Sequence, residues 1–109
     1  MSRNQNIITM TNLDSNPKFL KNRLEYFYNL VGKKRFQTLG YLILKNPDHS
    51  NNKIISDYQR LNSDCWEMTT FYDRITNKGF MRYSPNAIEE LVAQLKETLI
   101  NSKKLNLIK

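Results

Sequence analysis

Two proline steps constrain this chain more than any other feature. Asn16-Pro17 and Ser84-Pro85 each set a capping side chain before a proline, which suits the first turn of a helix because its missing N–H would have no partner there anyway. Each step opens a run of apolar residues at helical spacing. After the first come Leu20, Leu24, Phe27 and Val31, widened by Phe19, Tyr28 and Leu30, and Gly32 supplies a left-handed stop. After the second come Ile88, Leu91, Val92, Leu95 and Leu99. Glu89 and Glu90 lie in or near that first turn and Lys103 and Lys104 near the end, where the helix dipole favours each sign. The spacing predicts helices over residues 17–31 and 85–102, with everything else folding between them.

Residues 36–83 carry two patterns at once. On a helical reading, Phe36, Leu39, Leu42 and Ile43 share a face until Asn46-Pro47 breaks the run, and Ile54, Ile55, Tyr58 and Leu61 repeat it. A further helix starts at Asp64, with Glu67 completing a capping box and Met68, Phe71, Tyr72 and Ile75 forming one face. Gly79 stops it, and Phe80 falls where a Schellman ending packs an apolar residue against Ile75. On a strand reading, residues 66–75 alternate and are rich in β-branched and aromatic side chains. Thr76-Asn77-Lys78-Gly79 is then a turn into a strand at 80–83, and residues 41–44 form another. The first reading gives a mainly α, winged-helix-like domain with a small β element. The second gives an α+β domain: helix, antiparallel sheet, helix.

On the helical reading the order of elements is recognisable. Tyr58-Gln59-Arg60-Leu61-Asn62-Ser63, then Met68, Phe71, Tyr72 and the run Asp73-Arg74-Ile75-Thr76-Asn77-Lys78-Gly79-Phe80, resemble a winged helix-turn-helix of the MarR or PadR kind across residues 36–84. The resemblance implies a positioning helix, a turn, a recognition helix and a short wing at Met81-Arg82-Tyr83, with Leu39, Leu42 and Ile43 on the helix that closes the core. It implies a transcription regulator that contacts DNA, with Trp66, Thr69, Thr70, Arg74 and Lys78 on the recognition helix. The two long flanking helices would pair two copies into a homodimer.

Length and charge narrow the function classes. The 109 residues suit a single domain at 15–103, between a flexible tail at 1–14 and a basic tail at 104–109. With Cys65 alone there is no internal disulfide, and with neither a signal core nor a membrane-length apolar run the expected location is the cytoplasm. His49 is the only histidine, Glu89 and Glu90 point apart on their helix, and no glycine-rich phosphate loop is present. Cys65 sits beside Asp64 and near Glu67, which disfavour its thiolate. A non-enzymatic protein with no metal and no cofactor is therefore expected.

The net charge of +7 favours polyanionic partners, nucleic acid first and an acidic protein second. That charge is uneven. Residues 18–45 hold Lys18, Lys21, Arg23, Lys33, Lys34, Arg35 and Lys45 against Glu25, a net of +6, while residues 48–97 are net −2. These seven basic residues are the expected contact set. The functional expectation is a small basic nucleic-acid-binding protein, the alternative an adaptor, assembly factor or inhibitor docking on an acidic partner through the first helix. Trp66 is expected as a core or interface residue and most tyrosines as core, with Tyr26, between Arg23 and the 33–35 cluster, the one placed to stack on an unpaired base.

Overall fold

In the computed structural model, which describes residues 15–108, the apolar periods become five helices: α1 Pro17–Val31, α2 Lys33–Lys45, α3 Asn51–Leu61, α4 Glu67–Asn77 and α5 Ala87–Lys104. Helix α5 has the widest apolar stripe. It buries Ala87, Leu91, Val92, Leu95, Thr98, Leu99 and Ser102, and it touches all four other helices. Phe27 and Val31 of α1, Leu39 and Ile43 of α2, Ile54 and Tyr58 of α3, and Phe71 and Ile75 of α4 complete one core around it. The apolar faces of the two long flanking helices are thus buried inside one chain. No helix of the described residues is long and apolar enough to cross a membrane.

The helix ends follow local chemistry, with two shifts from expectation. Asn16 Oδ1 accepts from the N–H of Phe19 at 3.1 Å and starts α1 as predicted. Helix α5 starts at Ala87, two residues beyond Pro85, and the Ser84 hydroxyl accepts from Asn86 N–H at 3.2 Å. The capping box at Asp64 does not form. Asp64 accepts from Trp66 N–H at 2.9 Å in a tight turn, α4 begins at Glu67, and the Glu67 carboxylate turns elsewhere. A Schellman ending closes α4: Phe80 N–H donates to Ile75 C=O at 2.9 Å and Gly79 N–H to Thr76 C=O at 3.0 Å, with Gly79 at φ +97°. A second closes α5, with Asn106 at φ +60° and Leu107 N–H donating to Ser102 C=O at 2.9 Å. Residues 105–108 therefore turn back on the domain, and Ile108 packs against the core instead of extending as a tail.

Both expected fold classes contain a β element, and both are overturned, because the described residues form no strand and are 72% helical. Residues 41–44 lie in α2, where Leu39, Leu42 and Ile43 are buried together. Burial in 66–75 follows the helical set Met68, Phe71, Tyr72 and Ile75 and not the alternation. The expected wing is a knuckle: Met81 and Tyr83 take φ +43° and +64°, and Ser84 N–H turns back to Met81 C=O at 3.1 Å. Left-handed residues at every second position cannot sustain an extended ladder.

Gly32 is both the end of α1 and the start of α2, at φ +95° and ψ 157°, a region essentially closed to residues with a Cβ. Gly32→Ala is expected to lower unfolding stability by about 1–3 kcal/mol. Gly40, inside α2, has room for a Cβ at 3.9 Å from Leu99 Cδ1, so Gly40→Ala should instead stabilise by about 0.5–1 kcal/mol. Urea titration of both variants tests the opposite signs.

Candidate functional site: the basic joint between α1 and α2

At Gly32 the negative end of one helix meets the positive end of the next. The carbonyls that close α1 are satisfied by two arginines: Arg74 Nε donates to Leu30 O at 2.9 Å and its Nη2 to Asn29 O at 3.2 Å, while Arg35 Nη1 donates to Val31 O at 3.3 Å. Cations at a helix C-terminus interact favourably with its dipole. Arg35 is also held from the other side, Nε to Glu67 Oε2 at 2.6 Å and Nη2 to Glu67 Oε1 at 3.2 Å, a two-pronged pair whose side chains are 16% and 19% exposed. The Tyr58 hydroxyl donates to the same Oε2. The Arg35 guanidinium lies 5.3 Å from the Phe71 ring centroid. Burial pushes the Tyr58 phenol well above its ordinary pKa, and the Glu67 carboxylate adds to the shift.

The start of α2 has the opposite character. It has no side-chain cap and no acid in its first turn, and its first backbone bond runs from Phe36 N–H to Gly32 C=O at 2.9 Å. The N–H groups of Lys33, Lys34 and Arg35 have no acceptor among the described residues. Lys33 and Lys34 are exposed, with no ion pair among the described residues, and face a cavity of about 280 Å³ that Asn62, Arg74 and the paired Arg35 and Glu67 also line. Cations at a helix N-terminus raise the energy of the free protein, and an anion placed there relieves it.

The other expected contact residues do not join this surface. Lys18 and Lys21 are exposed near the start of α1, and Lys18 lies about 21 Å along the helix from Gly32. Arg23 belongs to the expected contact set. It instead fastens α1 to α5, donating to Gln94 Oε1 at 3.0 Å with its guanidinium 5.0 Å from the Phe27 ring centroid. Lys45, at the far end of α2 and about 18 Å from Lys33, donates to the Tyr41 hydroxyl at 2.9 Å, which raises its pKa.

Of the implied recognition residues, Thr69, Thr70 and Lys78 are exposed while Arg74 is turned into the joint. Trp66 is 68% exposed, which overturns its placement in the core. His49 lies 3.7 Å from Asp57 Oδ2, too far for a hydrogen bond, while Lys53 and Arg60 hold the Asp57 carboxyl below its ordinary range. Among the described residues no group of three or more His, Cys, Asp or Glu is arranged to hold a metal ion.

The pattern had one unread signal. Glu67 stands one turn before Phe71 on the apolar face of α4, where an acid needs a partner, and that partner is Arg35 with Tyr58. No family model matches the chain, and no curated protein or solved structure matches it either.

Removing the shared carboxylate should expose its importance. Glu67→Ala leaves Arg35 and the Tyr58 hydroxyl without their acceptor, and the expected loss is about 2–4 kcal/mol in urea unfolding, against about 1 kcal/mol for Tyr58→Phe. The raised phenol gives a pH signature. Its stabilisation is fully present below the unfolded tyrosine pKa of about 10 and is lost as pH rises beyond it toward the folded value. Wild type should therefore lose stability in the alkaline range faster than Tyr58→Phe, as urea midpoints at a series of pH values would record.

Proposed function

We propose that this chain is a non-enzymatic nucleic-acid-binding protein of the cytoplasm that holds the phosphate backbone at the start of α2. One observation carries the reading: Lys33 and Lys34 stand exposed at an uncapped helix N-terminus with no acid in its first turn. Free N–H groups, a helix dipole and two lysines converge there, the chemistry that receives a phosphate. Arg35 and Arg74 neutralise α1 and Glu67 around it, so the two lysines contribute the available charge.

A polyanion fits better than a single anion. Lys18 and Lys21 give a second basic position at the other end of α1, and the exposed Tyr26 and Tyr28 lie between, with Glu25 the one acid on that helix. Basic residues interleaved with exposed aromatics suit a nucleic acid strand. Base reading by α4 is no part of the proposal, since α4 and the turn before it expose Asp64 and Asp73 while Arg74 faces inward. An acidic protein partner is the competing outcome of the test.

The test is a titration of labelled duplex DNA, single-stranded DNA and RNA at low salt and near 0.2 M. Wild-type binding should weaken steeply with salt, with a log–log slope of about −0.9 per phosphate neutralised on duplex. Lys33→Ser with Lys34→Ser should reduce affinity about tenfold or more and shrink the slope by about two units, with an unchanged circular dichroism spectrum. Arg35 is left intact because it holds Glu67. Absence of all binding at low salt would refute the proposal in favour of the acidic partner.

A further inference from the structure

The knuckle between α4 and α5 spends backbone energy to display one side chain. Gly79, Met81 and Tyr83 alternate in left-handed conformation at φ +97°, +43° and +64°, and two of the three carry a Cβ that disfavours it. The result is a tyrosine that is 91% exposed. Tyr83 lies at the rim of a cavity of about 380 Å³ that it shares with Tyr72, Thr76, Asn77 and Arg82. The volume is at the small end of ligand pockets.

The chemistry of this lining is specific. The Thr76 hydroxyl is committed to the helix, donating to Tyr72 O at 2.8 Å and Asp73 O at 3.3 Å. No hydrogen bond among the described residues engages the Asn77 amide, the Arg82 guanidinium or either tyrosine hydroxyl. No acid lines the cavity. Two aromatic rings, a cation and an amide that both donates and accepts match the parts of a nucleotide: a flat π face, a phosphate and a polar base edge.

We infer that this cavity receives one unpaired base of a single-stranded nucleic acid, with Tyr83 stacking on it, Asn77 meeting its edge and Arg82 on the adjoining phosphate. The inference rests on the nucleic-acid reading above and adds a preference for single strands, because a base inside a duplex cannot enter. The spacing of α4 supports it. Tyr72 and Thr76 lie on one flank of that helix and Glu67 and Arg74 on the other, so the base site and the Lys33–Lys34 site are separated by about the 10–12 Å diameter of one helix.

Fluorescence anisotropy with labelled single-stranded oligonucleotides and a duplex of equal length tests it. Tyr83→Ala is expected to weaken single-strand binding about tenfold and leave duplex binding unchanged, while Tyr83→Phe, which keeps the ring, stays near wild type. Arg82→Ala should weaken single-strand binding too. Tyr83→Gly, which relieves the left-handed backbone, should raise the thermal unfolding midpoint while losing single-strand affinity. If Tyr83→Ala and Arg82→Ala bind single strands as wild type does while the Lys33, Lys34 variant is weakened, the base site is wrong and the phosphate-binding reading stands. If wild type binds neither single strands nor duplex at low salt, both fall.

Discussion

One carboxylate decides how three of the five helices meet. Glu67 accepts both prongs of Arg35 and the hydroxyl of Tyr58, so α2, α3 and α4 are tied at a single, largely buried point. Three donors offset the cost of taking that carboxylate out of water, and the Phe71 ring below Arg35 excludes water from one side. Every member of this centre is satisfied only when the three helices bring Arg35, Tyr58 and Glu67 together. Arg35 then extends the constraint to α1 through Val31 O, and Arg74 repeats the connection from α4.

Three helix ends were legible because each is decided within a few residues. Asn16-Pro17, Gly32 and the Gly79-Phe80 pair carry their own hydrogen-bond solutions, and the structure uses all three. The middle of the chain was not legible at that range. Residues 66–75 satisfy a period of two and a period of 3.6 alike, and nothing inside the segment chooses between them. The choice comes from α5, whose stripe of seven buried residues is wide enough to pack against all four other helices. Helices satisfy their own backbone while providing that cover, whereas a short sheet at 80–83 would have needed partner strands the chain does not supply.

Charge was legible as a number and not as a surface. Seven basic residues within 18–45 suggested one patch, yet Arg23 packs against Phe27, Arg35 pairs with Glu67, and Lys18 and Lys45 lie at opposite ends of different helices. Arginine's planar fork suits partly buried pairing and lysine's compact charge suits solvent, and the basic residues of 18–45 divide along that line. Trp66 shows the same limit in the opposite sense. Its size argued for burial, but the tight turn at Asp64 places it outside the core before α4 begins.

The joint at Gly32 turns this division into a directional site. Two helices in sequence bring a negative and a positive dipole end within one residue of each other, and left alone they would largely cancel. Here the negative end is closed by Arg74 and Arg35, both anchored by geometry to carbonyls, so it presents no free acceptor to a ligand. The positive end keeps its free N–H groups and gains Lys33 and Lys34. The asymmetry depends on glycine, because only there can the chain leave α1 and enter α2 without an intervening loop that would separate the two ends. The residue that permits the fold's sharpest junction is also the one that leaves an unneutralised helix start at the surface.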